Sequence, residues 1–343
     1  MSSTVRFGFT GDVMLGRQVD RRQQSRSADA VWGDLLGRLQ SLDGLFINLE
    51  CCLSTRGQPW RRTYRPFHFR ANPTWAIPAL ERAGVDCASL ANNHALDYGV
   101  RALCDTLDHL DRGDIASPGG GRTMRAAREP SHVFIEGMNV AVISFTDNTP
   151  EYAADSDTPG ISHTVFDLEN EPCRKILGEA LTAAQSAEPD LLVASLHWGP
   201  NMVTKPPDAF RAVGHWLIER GVDLVHGHSA HIFQGIEIHE GCPILYDVGD
   251  FVDDYAVDDD LGNDRGFLFE LQTDREGSLR ALRLLPIEIR DCAVHRAGST
   301  AADWSRDRIR ELSKPFGTEF ERQEDELILP LESRCGGRTT TDS

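Results

Sequence analysis

Val225-His226-Gly227-His228-Ser229-Ala230-His231 brings three imidazoles into six residues, directly after Val222, Leu224 and Val225. A short apolar run that meets a glycine reads as a buried strand ending in a turn, with the histidines at its carboxyl end. Neutral imidazole nitrogen and carboxylate oxygen are the usual donors to divalent metals, so this turn is a candidate metal-binding element. Four other stretches end an apolar strand in ligand-type residues: 5–12 in Asp12, 45–50 in Glu50, 88–94 in Asn93 and His94, and 191–197 in His197. Strands alternating with helices predict an α/β fold, which gathers ligands at the carboxyl edge of its sheet.

The chain has 343 residues, 40% of them hydrophobic, and a formal net charge of −18. That length suits an α/β enzyme with a large core, and the acidic balance argues against nucleic acid as a main partner. Eight cysteines without a Cys-x-x-Cys pattern indicate neither a disulfide scaffold nor a zinc knuckle. The first strand begins by Val5, leaving no room for a leader, and no apolar run reaches the length of a membrane span. These features predict a reduced, cytoplasmic protein with no membrane partner.

In chain order, Asp12 closes the first strand, where it serves equally as a metal ligand or a helix cap. After Glu50 comes a loop, 56–70, with five arginines among Trp60, Tyr64, Phe67 and Phe69. Arg61, Arg62 and Arg65 are candidates for holding an anionic substrate, because guanidinium forks match carboxylate and phosphate. The alternative is an exposed loop whose arginines pair with surface acids. Asn72-Pro73 predicts a helix start and Gly84 its end. A strand over 85–90 and a helix over 100–110 then place Asn93 and His94 on a loop at the sheet edge. Further strands are expected over 140–145, 191–196, 232–238, 243–248, 266–271 and 282–289, with helices over 166–187 and from Asp208 to Gly221. Pro118-Gly119-Gly120-Gly121-Arg122 lacks the Lys-Ser/Thr of a phosphate loop and reads as a turn. Asp250 follows a strand directly and is a site candidate, whereas the acidic residues after it read as a solvated loop. Past Asp291 the chain turns polar, predicting helices over 303–312 and 316–327.

The ordered series Gly11-Asp12, Asn48-Leu49-Glu50, Ala91-Asn92-Asn93-His94-Ala95-Leu96-Asp97-Tyr98-Gly99, His197-Trp198-Gly199, Gly227-His228-Ser229-Ala230-His231 and Tyr246-Asp247-Val248-Gly249-Asp250-Phe251 resembles the CapA-like family. That family is named for a poly-γ-glutamate capsule-synthesis protein, and the resemblance spans residues 5–255. Through it the chain is similar to the calcineurin-like metallophosphoesterases, which implies an α/β/β/α sandwich with a metal site at strand ends. The expected organisation is one such domain over 1–290, with the polar composition beyond it predicting a helical extension over 291–334 and a disordered tail over 335–343. Carried over by position, the resemblance implies Asp12, Glu50, Asn93, His197, His228 and His231 as metal ligands, with Glu50 in the place of a bridging aspartate. It implies His94 as acid/base. Met14 stands where the superfamily has a histidine, so one of two metal positions is expected to be weakened. His226 and His228 also have the superfamily's tighter histidine spacing, which leaves two choices of pair.

The leading expectation is a hydrolase that uses one or two divalent ions (Mn, Mg, Ca, Zn or Fe) on an anionic phosphoester or peptide-like substrate. An alternative is a metal-dependent peptide epimerase, which needs acid and base on opposite faces of one carbon. His94 with Asp97, and a histidine of the 226–231 turn with Asp250, are its candidate pairs. A third is a non-enzymatic factor that handles poly-γ-glutamate.

Overall fold

β1 (Val5–Val13) runs through the middle of the molecule and is buried along almost its whole length. The computed structural model describes residues 4–331. Two large sheets organise the fold. Their strands begin with β1, β2 (Gly44–Leu49), β3 (Cys87–Ser89), β4 (Ser131–Ile135), β5 (Met138–Thr146), β6 (Leu191–His197) and β7 (Leu224–His228). They continue with β8 (Ile236–His239), β9 (Cys242–Leu245), β10 (Asp250–Val252), β11 (Arg265–Thr273) and β12 (Leu279–Arg290). The last are β13 (Ala293–Arg296), β14 (Glu321–Gln323) and β15 (Glu326–Pro330).

The nine-stranded sheet runs β14-β15-β12-β11-β1-β2-β3, with β10 beside β1 and β13 beside β12. The six-stranded sheet runs β8-β9-β7-β6-β5-β4. Pairing is parallel among β1, β2, β3 and β10, and among β5, β6, β7 and β9. Parallel strands must be buried on both faces, which is why these segments are continuous apolar runs in sequence.

The sheets pack face to face through Phe7, Phe9, Phe46, Phe267 and Phe269 of one and the aliphatic residues of β5, β6 and β7 of the other. Phe9 stacks on Phe46 at 5.0 Å and meets the His226 ring edge-on at 5.3 Å. The outer face of the nine-stranded sheet is covered by the 3₁₀ segment Ala28–Leu35 and by the helices Pro73–Ala83 and Gly99–Arg112. Helices Glu171–Gln185 and Asp208–Glu219 cover the six-stranded sheet. The result is the layered α/β/β/α sandwich expected. Asn72 caps the first of these helices through Thr74 N, and Gly84 closes it in the left-handed region, as its sequence dictates.

Past Asp291 the helix expected over 303–312 is present as Ser299–Ser313, but that expected over 316–327 is replaced by β14 and β15. Leu327 and Leu329 are buried while Glu326, Ile328 and Pro330 are not, a period of two that seats β15 antiparallel on β12. Strand β13 likewise joins the large sheet, so this end of the chain is not purely helical. The tail expected over 335–343 lies outside the described residues.

Two glycines allow the strand ends to meet. A Cβ on Gly11 would lie 2.0 Å from the Gly249 carbonyl oxygen, and one on Gly227 would lie 2.1 Å from that of Tyr246. We expect Gly227→Ala to destabilise the fold by about 3 kcal/mol, because the contact is with backbone that cannot rotate away. Gly178, inside a helix with open space around its Cα, is the contrast: Gly178→Ala should stabilise by about 0.5–1 kcal/mol. Urea unfolding of both variants checks the pair, and equal effects would contradict this account of Gly227.

Candidate metal centre

Strand register builds the centre from both sheets. In the nine-stranded sheet Asp12 is the direct partner of Asn48 on β2 and of Asp250 on β10, so three polar residues stand in one row. In the other, His197 is the partner of His228 on β7 and of Thr146 on β5. Asp12, Asn48, Thr146, His197 and His228 lie at or next to the carboxyl ends of their strands, Asp250 opens its own, and the sandwich brings the two rows together.

Two groups of metal-type donors result: Asp12 with His197 and His228, and Asp12 with Glu50, His231 and Asp250. Asp12 is common to both, whereas Glu50, the expected bridge, belongs to one. Nδ1 of His197 and Nδ1 of His228 are 2.9 Å apart, and they lie 4.0 and 3.7 Å from Asp12 Oδ1. His231 Nδ1 stands 2.9 Å from Asp250 Oδ1 and 3.5 Å from Asp12 Oδ2. Met14 is fully buried, and its sulfur accepts from the Gly16 amide. Asn93 Oδ1 approaches His197 Nε2 at 3.1 Å, so the expected asparagine also borders the cluster.

His226 is separated from this set. Its Nε2 donates to the Thr10 carbonyl at 2.8 Å, and burial lowers its pKa to about 4, keeping the ring neutral. His228 Nε2 instead meets Ser195 Oγ at 2.9 Å, which leaves Nδ1 facing Asp12. Of the two, His228 stands among the metal-type donors.

Burial is the main electrostatic fact of the site. It raises the pKa of Asp12, Glu50, Asp250 and Asp253, reinforced in each by neighbouring carboxylates, and it lowers those of His197 and His228. Asp12 Oδ2, both Glu50 oxygens, Asp250 Oδ2 and Asp253 Oδ2 are buried without a hydrogen-bond donor. Among the described residues no Lys or Arg pairs with Asp12, Glu50 or Asp250. Native proteins rarely leave such acceptors unmatched, and a divalent cation satisfies them together. The donor set fits a metal.

His94 stands just outside. Its Nδ1 is 2.6 Å from Asp97 Oδ2, its Nε2 is 3.8 Å from Glu50 Oε1, and its ring stacks on Phe69 at 3.9 Å. Asp97 also accepts from the Phe69 amide at 2.7 Å and from the Tyr152 hydroxyl at 3.1 Å. The arginine loop is closed at its base by pairing of Cys52–Leu53 with Arg70–Ala71, and Trp60 N donates to the Asp97 carbonyl. Arg65 lies over the Tyr152 ring at 4.8 Å and pairs with Glu151 at 3.4 Å. Arg61 and Arg62 are exposed, Arg62 over Trp60, and Arg56 is tied to Asp105 away from the centre.

Several residues of the site escaped sequence reading. Asn48 donates to Asp12 at 2.7 Å, and Asn92 holds Asn48 while accepting from the His94 amide. Asp247 accepts from the amides of Ala230 and Gly249, fixing the turn that carries His231. Asn48 had one visible signal, an amide inside an apolar strand. The loop expected to be solvated is exposed over 258–260, but Asp253 and the Asp254 side chain are buried. Among the described residues no helix is long and apolar enough to cross a membrane.

Residues 6–255 match the family model described as bacterial capsule synthesis protein PGA_cap. A probable polyglutamine synthesis accessory protein of Mycobacterium tuberculosis is 32% identical over an alignment covering 93% of each chain. The PGA biosynthesis protein CapA of Bacillus subtilis is 28% identical over 72% of this chain and 62% of its own. Among solved structures, a hypothetical protein from Thermus thermophilus superposes with a TM-score of 0.50 at 16% identity, covering 83% of this chain and 99% of that one. The shared sequence and the ordered strand-end residues have one explanation: the chain belongs to the PGA_cap family of bacterial capsule synthesis proteins.

Proposed function

We propose that the protein is a divalent-metal-dependent hydrolase acting on an anionic phosphoester or peptide-like substrate. The observation that carries this reading is the set of buried, donorless oxygens on Asp12, Glu50 and Asp250 beside His197, His228 and His231. Asp12, His197 and His228, with Asn93, are the residues we assign to one ion. Asp12, Glu50, His231 and Asp250 are those assigned to a second. Mixed imidazole and carboxylate donors suit Mn²⁺, Fe²⁺ or Zn²⁺ better than Ca²⁺, which prefers oxygen alone. A bound ion of this kind supplies Lewis acidity and a nucleophilic water at neutral pH.

His94 supports the reading as the proton donor to the leaving group. Asp97 orients it through Nδ1, which leaves Nε2 turned toward Glu50. Phe69 and the neighbouring buried residues exclude water from one face of the ring. The alternative of epimerisation requires two free acid–base pairs. His231 and Asp250 lie within the donor cluster, which leaves His94–Asp97 as the one pair outside it. The relatives' names, with polyglutamine synthesis and PGA biosynthesis, favour the peptide-like substrate. Arg61, Arg62 and Arg65 are the residues we assign to the anionic groups of such a substrate.

Metal analysis separates the histidines. The wild type should carry close to one or two equivalents of transition metal, His228→Ala should lose most of it, and His226→Ala should retain it while unfolding more readily. Retention in His228→Ala with loss in His226→Ala would reverse the assignment.

For His94, replacement by Gln should leave the metal content unchanged and lower kcat by about 10²–10⁴, the usual contribution of a general acid. A panel of phosphoesters and γ-glutamyl peptides provides the assay. Loss of metal along with activity would make His94 a ligand instead.

A further inference from the structure

Arg17 follows Asp12 by five residues and was not singled out by the sequence. Its backbone has φ of 52°, a left-handed conformation that non-glycine residues avoid unless the surroundings impose it. The side chain is held from two directions. Nε pairs with the buried Asp254 carboxylate at 3.3 Å, and the guanidinium lies over Phe67 at 4.9 Å and over Phe69 at 5.7 Å. Phe69 is the ring stacked on His94, and it also meets Tyr255, whose ring lies edge-on to His231 at 5.0 Å. Arg17 therefore caps an aromatic wall that joins the proposed acid to the proposed metal ligands.

Both Nη nitrogens lack a protein acceptor among the described residues, and the side chain keeps 29% of its exposure. A guanidinium fixed by stacking and by Nε, with its fork open, is prepared to take two oxygens of one anion. Arg65 is less suited, since one Nη of its fork already pairs with Glu151, and Arg61 and Arg62 are exposed, Arg62 held only by the Trp60 ring.

We propose that Arg17 is a substrate-binding residue that receives an oxyanion, carboxylate or phosphate, at a part of the substrate remote from the bond that breaks. The proposal rests on the hydrolase reading for the word substrate, but its test is a binding measurement. Glutarate and inorganic phosphate are titrated separately into the Mn²⁺-loaded wild type, Arg17→Gln and Arg17→Lys, with metal content and Tm recorded. Arg17→Gln should weaken one of the two anions by roughly tenfold or more, as loss of a charge-assisted bond does. Metal content should not change, and Arg17→Lys should recover only part of the affinity. Selective loss for glutarate marks a carboxylate, and selective loss for phosphate marks a phosphoryl group. If Arg17→Gln fails to fold, Phe67→Ala removes a half-exposed ring from the stack and should weaken the same anion by a smaller factor.

Unchanged affinity for both anions, in Arg17→Gln or in its Phe67→Ala substitute, would overturn the site, as would weaker binding that tracks lost metal. Arg17-dependent binding without turnover on any phosphoester or peptide would overturn hydrolysis and leave this site standing. Turnover with anion binding indifferent to Arg17 would do the reverse.

Discussion

Everything in this structure turns on the burial of Asp12, Glu50 and Asp250 together, with no Lys or Arg among the described residues to neutralise them. Removing one carboxylate from water costs several kcal/mol even after relaxation, about the same order as a domain's whole stability when three are combined. The fold accepts this arrangement at the one place where parallel strands of two sheets end side by side. There the backbone needs Gly11 and Gly227, since a Cβ at either position would strike a carbonyl. Asn48, Asn92 and Asp247 spend their hydrogen bonds on orienting neighbours, so the donorless oxygens remain directed at a common space. Such an assembly is unfavourable for an empty protein and natural for one that holds cations.

How far the sequence revealed this depends on which kind of information each residue carries. Asp12, Glu50, His197 and His228 end apolar runs, so local pattern was enough to place them at strand ends. Register was not legible, and register is what makes Asp12 rather than Glu50 the shared donor. His226 and His228 are two residues apart and point the same way along a strand. Only the partner at the far nitrogen, Thr10 carbonyl for one and Ser195 hydroxyl for the other, tells them apart. Tyr152 illustrates the limit most clearly. It is distant in sequence from Asp97 and sits in a short 3₁₀ turn, yet its hydroxyl completes the carboxylate that orients His94. The misread helix near the carboxyl end has a different cause. Polar composition concealed a two-residue alternation at Leu327 and Leu329, which the edge of the large sheet selects.

The arginines complete a division by depth. The inner shell is carboxylate and imidazole, and the cations stand one layer out, each placed on an aromatic ring: Arg17 on Phe67 and Phe69, Arg62 on Trp60, Arg65 on Tyr152, Arg70 on Tyr98. Stacking holds these guanidiniums clear of Asp12, Glu50 and Asp250, where one would compete with a metal. The same rings reach the proposed chemistry, because Phe69 lies on His94 and Tyr152 bonds to Asp97. An anion drawn to the outer layer would therefore press on the elements that hold the acid. At a net charge of −18, that outer layer would give an anionic substrate of the proposed reaction a locally positive approach.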